Sequence, residues 1–169
     1  MKTICEGKRV LLLERDDWEY VERKKGKEAV AIIAVTDDRR VILTEQYRRP
    51  VDARVIDWPA GLVGDEEGGG DAESTARKEL REETGYDCER VELLARGPTS
   101  PGITSEIVTF YRAVGVRKVG EGGGVGGEDI DVHAIPIDAI EDWLRKQREA
   151  GKLIDLKIWG GLYFVLKRT

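Results

Sequence analysis

Three glutamates, Glu79, Glu82 and Glu83, stand at i, i+3 and i+4 in the stretch Lys78-Glu79-Leu80-Arg81-Glu82-Glu83-Thr84-Gly85-Tyr86. On an α-helix these positions share one face, with Cβ atoms roughly 5–6 Å apart. Like charges at that spacing repel, so a chain that fixes them there needs something to neutralise them. A hard divalent cation does so, because Mg²⁺ and its relatives favour carboxylate oxygens and keep several waters. The alternative is a solvated face on which the glutamates pair with Arg77, Lys78 and Arg81. The helix is well signalled. Asp71 or Ser74 can cap its start, residues 72–82 are mostly good helix formers, and Gly85 stops it. Ala76, Leu80 and Thr84 form its inner stripe, and residues 64–70 before it read as a glycine-rich loop.

Composition narrows what such a helix serves. The chain has 169 residues, 40% apolar and 36% charged, which fits one soluble globular domain with a proper core. A net charge of −5 argues against a general nucleic-acid binder. The two cysteines, Cys5 and Cys88, have no metal-ligand spacing and read as reduced thiols of a cytoplasmic protein. No apolar leader with a cleavage site and no run of 18 apolar residues is present, so neither a signal peptide nor a membrane span is expected. Asn is absent and Gln occurs only at 46 and 147, a thermophile pattern that GC-driven codon bias would also produce.

Residues 10–13 and 18–22 read as short strands around Arg15-Asp16-Asp17. Residues 29–35, AVAIIAV, form a continuous apolar run, the mark of a strand buried on both faces. Residues 41–46 return as its hairpin partner. Further strands are expected at 54–58, 91–97, 107–116 and 130–135. Residues 120–127, GEGGGVGG, are either a plain linker or a mobile lid. Residues 138–150 read as an amphipathic helix capped by Asp138, with Ile140, Trp143 and Leu144 inward and Gly151 ending it. Residues 162–166 belong to a last helix packed by Tyr163 and Leu166. Strands in two runs with three helices predict a mixed sheet between helical layers.

The glutamate segment resembles the Nudix box, the signature of the Nudix hydrolases: Glu79, Leu80, Glu82, Glu83, Gly85 and Tyr86 match its second half. Lys78 stands where the family has Arg. Counted back from Lys78, Gly70 and its neighbour Asp71 fall where the loop Glu is expected, whereas counted forward from Gly61 that place is Glu67. The loop is therefore about three residues longer than the family pattern. The resemblance covers roughly residues 29 to 165 and implies an α/β fold, a mixed sheet sandwiched between helices (α/β/α). An additional N-terminal antiparallel sheet from residues 1–28 would join the 29–169 core in a single domain.

Flanking residues resemble one branch of that family, the ADP-ribose and nucleotide-sugar pyrophosphatases. They are Glu45-Gln46-Tyr47-Arg48-Arg49-Pro50, Trp58-Pro59-Ala60-Gly61-Leu62, Ser100-Pro101-Gly102 and Glu128-Asp129-Ile130-Asp131-Val132. The resemblance implies metal-dependent hydrolysis of ADP-ribose to AMP and ribose 5-phosphate. Other nucleotide sugars such as GDP-mannose or UDP-glucose, or a non-catalytic nucleotide sensor, are the alternatives; the three retained glutamates favour an enzyme. Glu79 and Glu83 would be the main ligands of Mg²⁺ (or Mn²⁺), with Glu82 and the Ala60 carbonyl completing the set. Glu128 is the first candidate for general base and Glu82 the second.

Arg48 either clamps a phosphate through its fork or bridges to an acid. Gly102 either lets backbone approach the substrate or is an ordinary Pro-Gly turn. Glu106 either accepts from ribose hydroxyls or is a solvated strand end. Trp18 aligns with an aromatic that stacks on adenine in this group, often from the partner of a swapped homodimer; otherwise it is simply packed. Trp58 reads as core or pocket wall, and the lone His133 receives no role.

Overall fold

The computed structural model describes residues 1–26, 28–64 and 70–167. Glu67, one of the two places for the loop glutamate, lies outside the described residues. In chain order the elements are β1 (Lys2–Glu6), β2 (Val10–Arg15), β3 (Trp18–Arg23), β4 (Glu28–Thr36), β5 (Arg40–Arg48), β6 (Ala53–Asp57), β7 (Ala60–Val63), α1 (Ala72–Thr84), β8 (Tyr86–Asp87), β9 (Arg90–Pro98), β10 (Ile107–Lys118), β11 (Ile130–Pro136), α2 (Ile140–Glu149), β12 (Leu153–Ile154) and α3 (Leu156–Leu166).

Strand β4 organises the molecule, because both of its faces must be covered. Ala31 and Ile33 point into one cluster with Trp58, Ile140, Leu144, Ile158 and Leu162, which brings α2 and α3 onto that face. Val30, Ile32 and Ala34 point into the other cluster with Ala76, Leu80 and Cys88, which brings α1 onto the opposite face. The expected α/β/α arrangement follows directly. The nine-stranded sheet runs β12-β6-β5-β4-β10-β8, with β11 on β5, β7 on β4 and β9 on β10. It is mixed: β4 with β10 and β6 with β12 are parallel, and the other pairs are antiparallel.

The sheet forks at its centre. β4 pairs with β5 only at Ala34↔Ile42 and Val35↔Val41. Beyond that point β5 continues against β6, while the first half of β4 takes β7 as its partner. A cleft forms in the opening between the two arms. A separate three-stranded sheet, β1-β2-β3, touches the rest through Val21, whose N–H donates to Ile103 O at 2.8 Å and whose carbonyl accepts from Ser105 N at 3.2 Å.

Several local expectations change. Asp138 does not cap a helix; it lies in a short 3₁₀ turn, Ile137–Ala139, and faces Arg39 at 3.4 Å, and α2 starts at Ile140 without a side-chain cap. In α3 the inward residues are Ile158, Gly161 and Leu162, while Tyr163 and Leu166 face out. The reason is Gly161: a Cβ there would strike the indole of Trp58, so the glycine face is the one that can seat against the sheet. Asp155 caps α3 by accepting from Lys157 N at 2.9 Å.

Candidate active site

Helix α1 carries its acids as the spacing requires. The Asp71 carboxylate accepts from Ser74 N at 2.8 Å and caps the start, and Gly85 closes the end at φ 71° with its N–H on Arg81 O. Arg77 clamps α1 to β8 through a two-pronged pair with Asp87 at 2.7 and 3.1 Å. This fixes the rotation of the helix about its axis, so the acid face is turned to one place.

That place is the arm of the fork formed by β7. Glu83 is buried, and its Oε2 accepts from Ala60 N at 3.0 Å. Glu79 lies over Gly61, where a Cβ would run into its carboxyl group. Glu82 is half-buried and pairs with Lys78 at 3.6 Å. Burial pushes Glu83 up to about 8; the neighbouring charges of Glu79 and Glu128 push the same way, against the Ala60 hydrogen bond and Arg48. Glu79, Glu83 and Glu128, two on a helix and one on a distant loop, therefore share one electrostatic neighbourhood.

Among the described residues no group of three or more His, Cys, Asp or Glu side chains is already gathered as a metal cage. The donor chemistry nonetheless suits a hard cation: the facing groups are carboxylate oxygens, and the buried Glu83 carries a repulsion that a cation would relieve.

Beside the acids lies a cleft of about 680 Å³. Ala60 and Gly61 form its edge toward α1, and Arg48, Arg23 and Glu106 supply polar groups. Glu106 is bound to Arg23 at 2.9 Å, so it faces the cleft as half of an ion pair. Among its further lining residues are Asp57 and Lys157, which pair at 2.9 Å, with Lys157 also on Asp155 at 2.7 Å. Burial raises Asp57 to about 6, opposed by Lys157. Arg23, Asp57 and Lys157 were not singled out from sequence. Asp57 sits just before the Trp-Pro-Ala-Gly turn and had a positional signal; Lys157 is brought in by α3 and had none.

Trp18 and Gly102 stand outside that lining. Trp18 is 61% exposed, not packed, and its Nε1 donates to Gly102 O at 3.2 Å. A Cβ on Gly102 would meet nothing within 4 Å. Trp58 is wholly buried and donates from Nε1 to Lys157 O at 3.0 Å, which makes it core. His133, unassigned from sequence, belongs to a polar knot behind the cleft. Its Nε2 meets Glu45 Oε2 at 2.9 Å, Lys152 Nζ meets the same oxygen at 2.7 Å, and Arg54 binds Oε1.

The NUDIX domain family matches residues 25–155. A methanol dehydrogenase activator of Bacillus methanolicus is 34% identical over 83% of this chain and 78% of its own length. An ADP-ribose pyrophosphatase of Bacillus subtilis is 40% identical over 50% of the chain and 44% of its own length. A GDP-mannose pyrophosphatase of Cronobacter sakazakii is 32% identical over 76% of the chain and 73% of its own length. The crystal structure of an ADP compounds hydrolase superposes with a TM-score of 0.63 at 21% identity, covering 85% of this chain and 80% of that one, a likeness of fold.

Proposed function

The chain belongs to the NUDIX domain family, and on that premise we propose that it hydrolyses the diphosphate bond of a nucleoside diphosphate linked to a second group, with ADP-ribose as the first substrate. The observation that carries this reading is the placement of buried Glu83 on Ala60 N and of Glu79 over Gly61, at the edge of a cleft that also holds Arg48. Names of relatives support it: one is an ADP-ribose pyrophosphatase. The GDP-mannose pyrophosphatase, which matches more of the chain, favours a second reading with the same chemistry on another sugar.

In this reading Glu79 and Glu83 hold a divalent cation, Mg²⁺ or Mn²⁺, with Glu82 and the Ala60 carbonyl completing the set. When bound there, such a cation would supply neutralisation of the diphosphate, a lowered pKa for water and stabilisation of charge on the leaving oxygen. Arg48 holds a phosphate at the mouth of the cleft. Glu128 takes the proton as water forms its bond to phosphorus; the bridging P–O bond breaks, and AMP and ribose 5-phosphate leave. Ribose hydroxyls meet Glu106 beside Arg23. Trp18, held against Gly102, is an exposed platform for adenine. Its exposure suits a homodimer in which the N-terminal sheet borders the partner's site.

Incubation with ADP-ribose, GDP-mannose and UDP-glucose, each with and without Mg²⁺, tests the substrate. AMP from ADP-ribose in the presence of Mg²⁺ is expected; nucleotide products from none of the three would reject the enzyme reading in favour of a sensor. Glu128→Gln is expected to slow turnover by roughly 10²–10⁴-fold, the contribution of a positioned base, with little change in KM. An unchanged rate would move the base elsewhere.

A further inference from the structure

The proposed reaction draws Glu79 and Glu83 from α1 and Glu128 from the loop before β11, and a set of backbone hydrogen bonds ties these two elements together. The last carbonyls of a helix have no partner within it. At the end of α1 they are answered from residues 119–124. Val119 N and Gly120 N donate to Gly85 O at 2.7 and 2.9 Å, Gly123 N to Glu83 O at 2.8 Å, and Gly124 N to Glu82 O at 3.0 Å. At Gly122 the approach leaves no room for a side chain. A Cβ on Gly122, at φ 74°, would run into the carbonyl carbon of Thr84 and the nitrogen of Gly85. Downstream the chain turns back at once. Glu128 N donates to Val125 O at 3.2 Å, and Val125 N donates to the Glu128 carboxylate at 3.1 Å. On the far side, Arg54 binds Asp131 and reaches Asp129 at 3.6 Å.

We infer that residues 119–124 are a strap that caps the end of the glutamate helix and sets where Glu128 stands relative to Glu79 and Glu83, with Gly122 the positioning residue that permits it. The kinetic consequence rests on the pyrophosphatase reading; the strap itself does not. A glycine run alone suggests a cover free to move along its length. Here its first half is bonded to α1, and the freedom is confined to the turn at residues 125–127, where Gly126 and Gly127 have open space around them.

Two alanine variants separate the strap from glycine strain in general. Gly122→Ala and Gly126→Ala bear similar positive φ values, 74° and 64°, but only the first collides with α1. With ADP-ribose and Mg²⁺, Gly122→Ala is expected to lower kcat by roughly tenfold or more with KM little changed, the signature of a misplaced group. Gly126→Ala should stay within about threefold of the parent, the scale of its shared backbone strain. In a Glu128→Gln background, Gly122→Ala should add less than about threefold, since the group it misplaces is already gone. Equal kcat in the two alanine variants overturns the inference, and so does a Gly122→Ala loss that multiplies undiminished onto Glu128→Gln. Amide hydrogen exchange of the unaltered protein needs no variant to fold. The N–H groups of Gly123 and Gly124 should exchange as slowly as the last turn of α1, and far more slowly than those of Gly126 and Gly127. Equally fast exchange at all four refutes the strap whatever the substrate. If Glu128→Gln keeps its full rate, the base assignment falls, and the exchange pattern alone decides the strap.

Discussion

Glu83→Gln is expected to lower metal-dependent hydrolysis by roughly 10³-fold or more, because on the proposed reading a cation that supplies several kcal/mol to the transition state would lose its buried ligand. The substitution is nearly isosteric, and a Gln oxygen still accepts from Ala60 N, so the contact between α1 and β7 survives. What disappears is a carboxyl whose ionised form burial, Glu79 and Glu128 all oppose. The metal-free variant should therefore melt at or above the temperature of the parent. The pairing of lost turnover with retained stability separates a functional acid from a structural one. A variant that melts lower and keeps its turnover would make Glu83 a structural group. Glu79→Gln is expected to follow the same pattern, since Gly61 leaves room for that carboxyl group and little else.

The largest expected loss of stability lies elsewhere, at Glu45. Its side chain is 2% exposed and receives Arg54, His133 and Lys152. Burial alone would raise this carboxyl, and the three partners overcome that and bring it down to about 2. A folded-state value below the usual 4.5 means that ionised Glu45 stabilises the fold above about pH 4.5, and that this contribution fades as pH falls toward about 2. A shift of that size corresponds to about 3 kcal/mol. Glu45→Gln should lower the melting temperature at pH 7 by roughly 6–12 °C for a chain of this length. It should also flatten the acid limb of the stability curve between pH 5 and 2. An acid limb that stays parallel to the parent's would show that Glu45 is not the titrating group. Removal of Glu45 leaves half-buried Lys152 without this anion, which is why the effect exceeds that of a surface pair. The same knot reaches the active-site side of the molecule, because Arg54 also holds Asp131 and Asp129 beside Glu128.

What the sequence makes legible is what is local or periodic. The apolar run of β4 announces two covered faces, and its odd and even residues do enter two different clusters. The capping of α1 by Asp71 and its closure by Gly85 are written within one stretch of chain. The acid spacing names a face, and Arg77 on Asp87 turns that face to the cleft. Glu45 shows the opposite case. It sits in an apolar strand, and its partners come from positions 9, 88 and 107 residues away, which no local pattern connects. Lys157 enters the cleft only because α3 returns to the sheet, seated by Gly161 on Trp58. The glycine run at 120–127 is ambiguous for a physical reason: the composition that allows free movement also allows backbone to lie against backbone. Only the partner carbonyls at the end of α1 distinguish the two.

On the proposed reading, a cation held by the glutamate face of α1 carries the cleavage of a diphosphate. The most direct measurement is AMP release from ADP-ribose, followed while Mg²⁺ is removed by chelation and then restored. Release is expected to stop on chelation, return with the metal, and stay absent throughout in Glu83→Gln; cleavage that continues in the presence of chelator, or that Glu83→Gln leaves unchanged, would show that no such cation is needed.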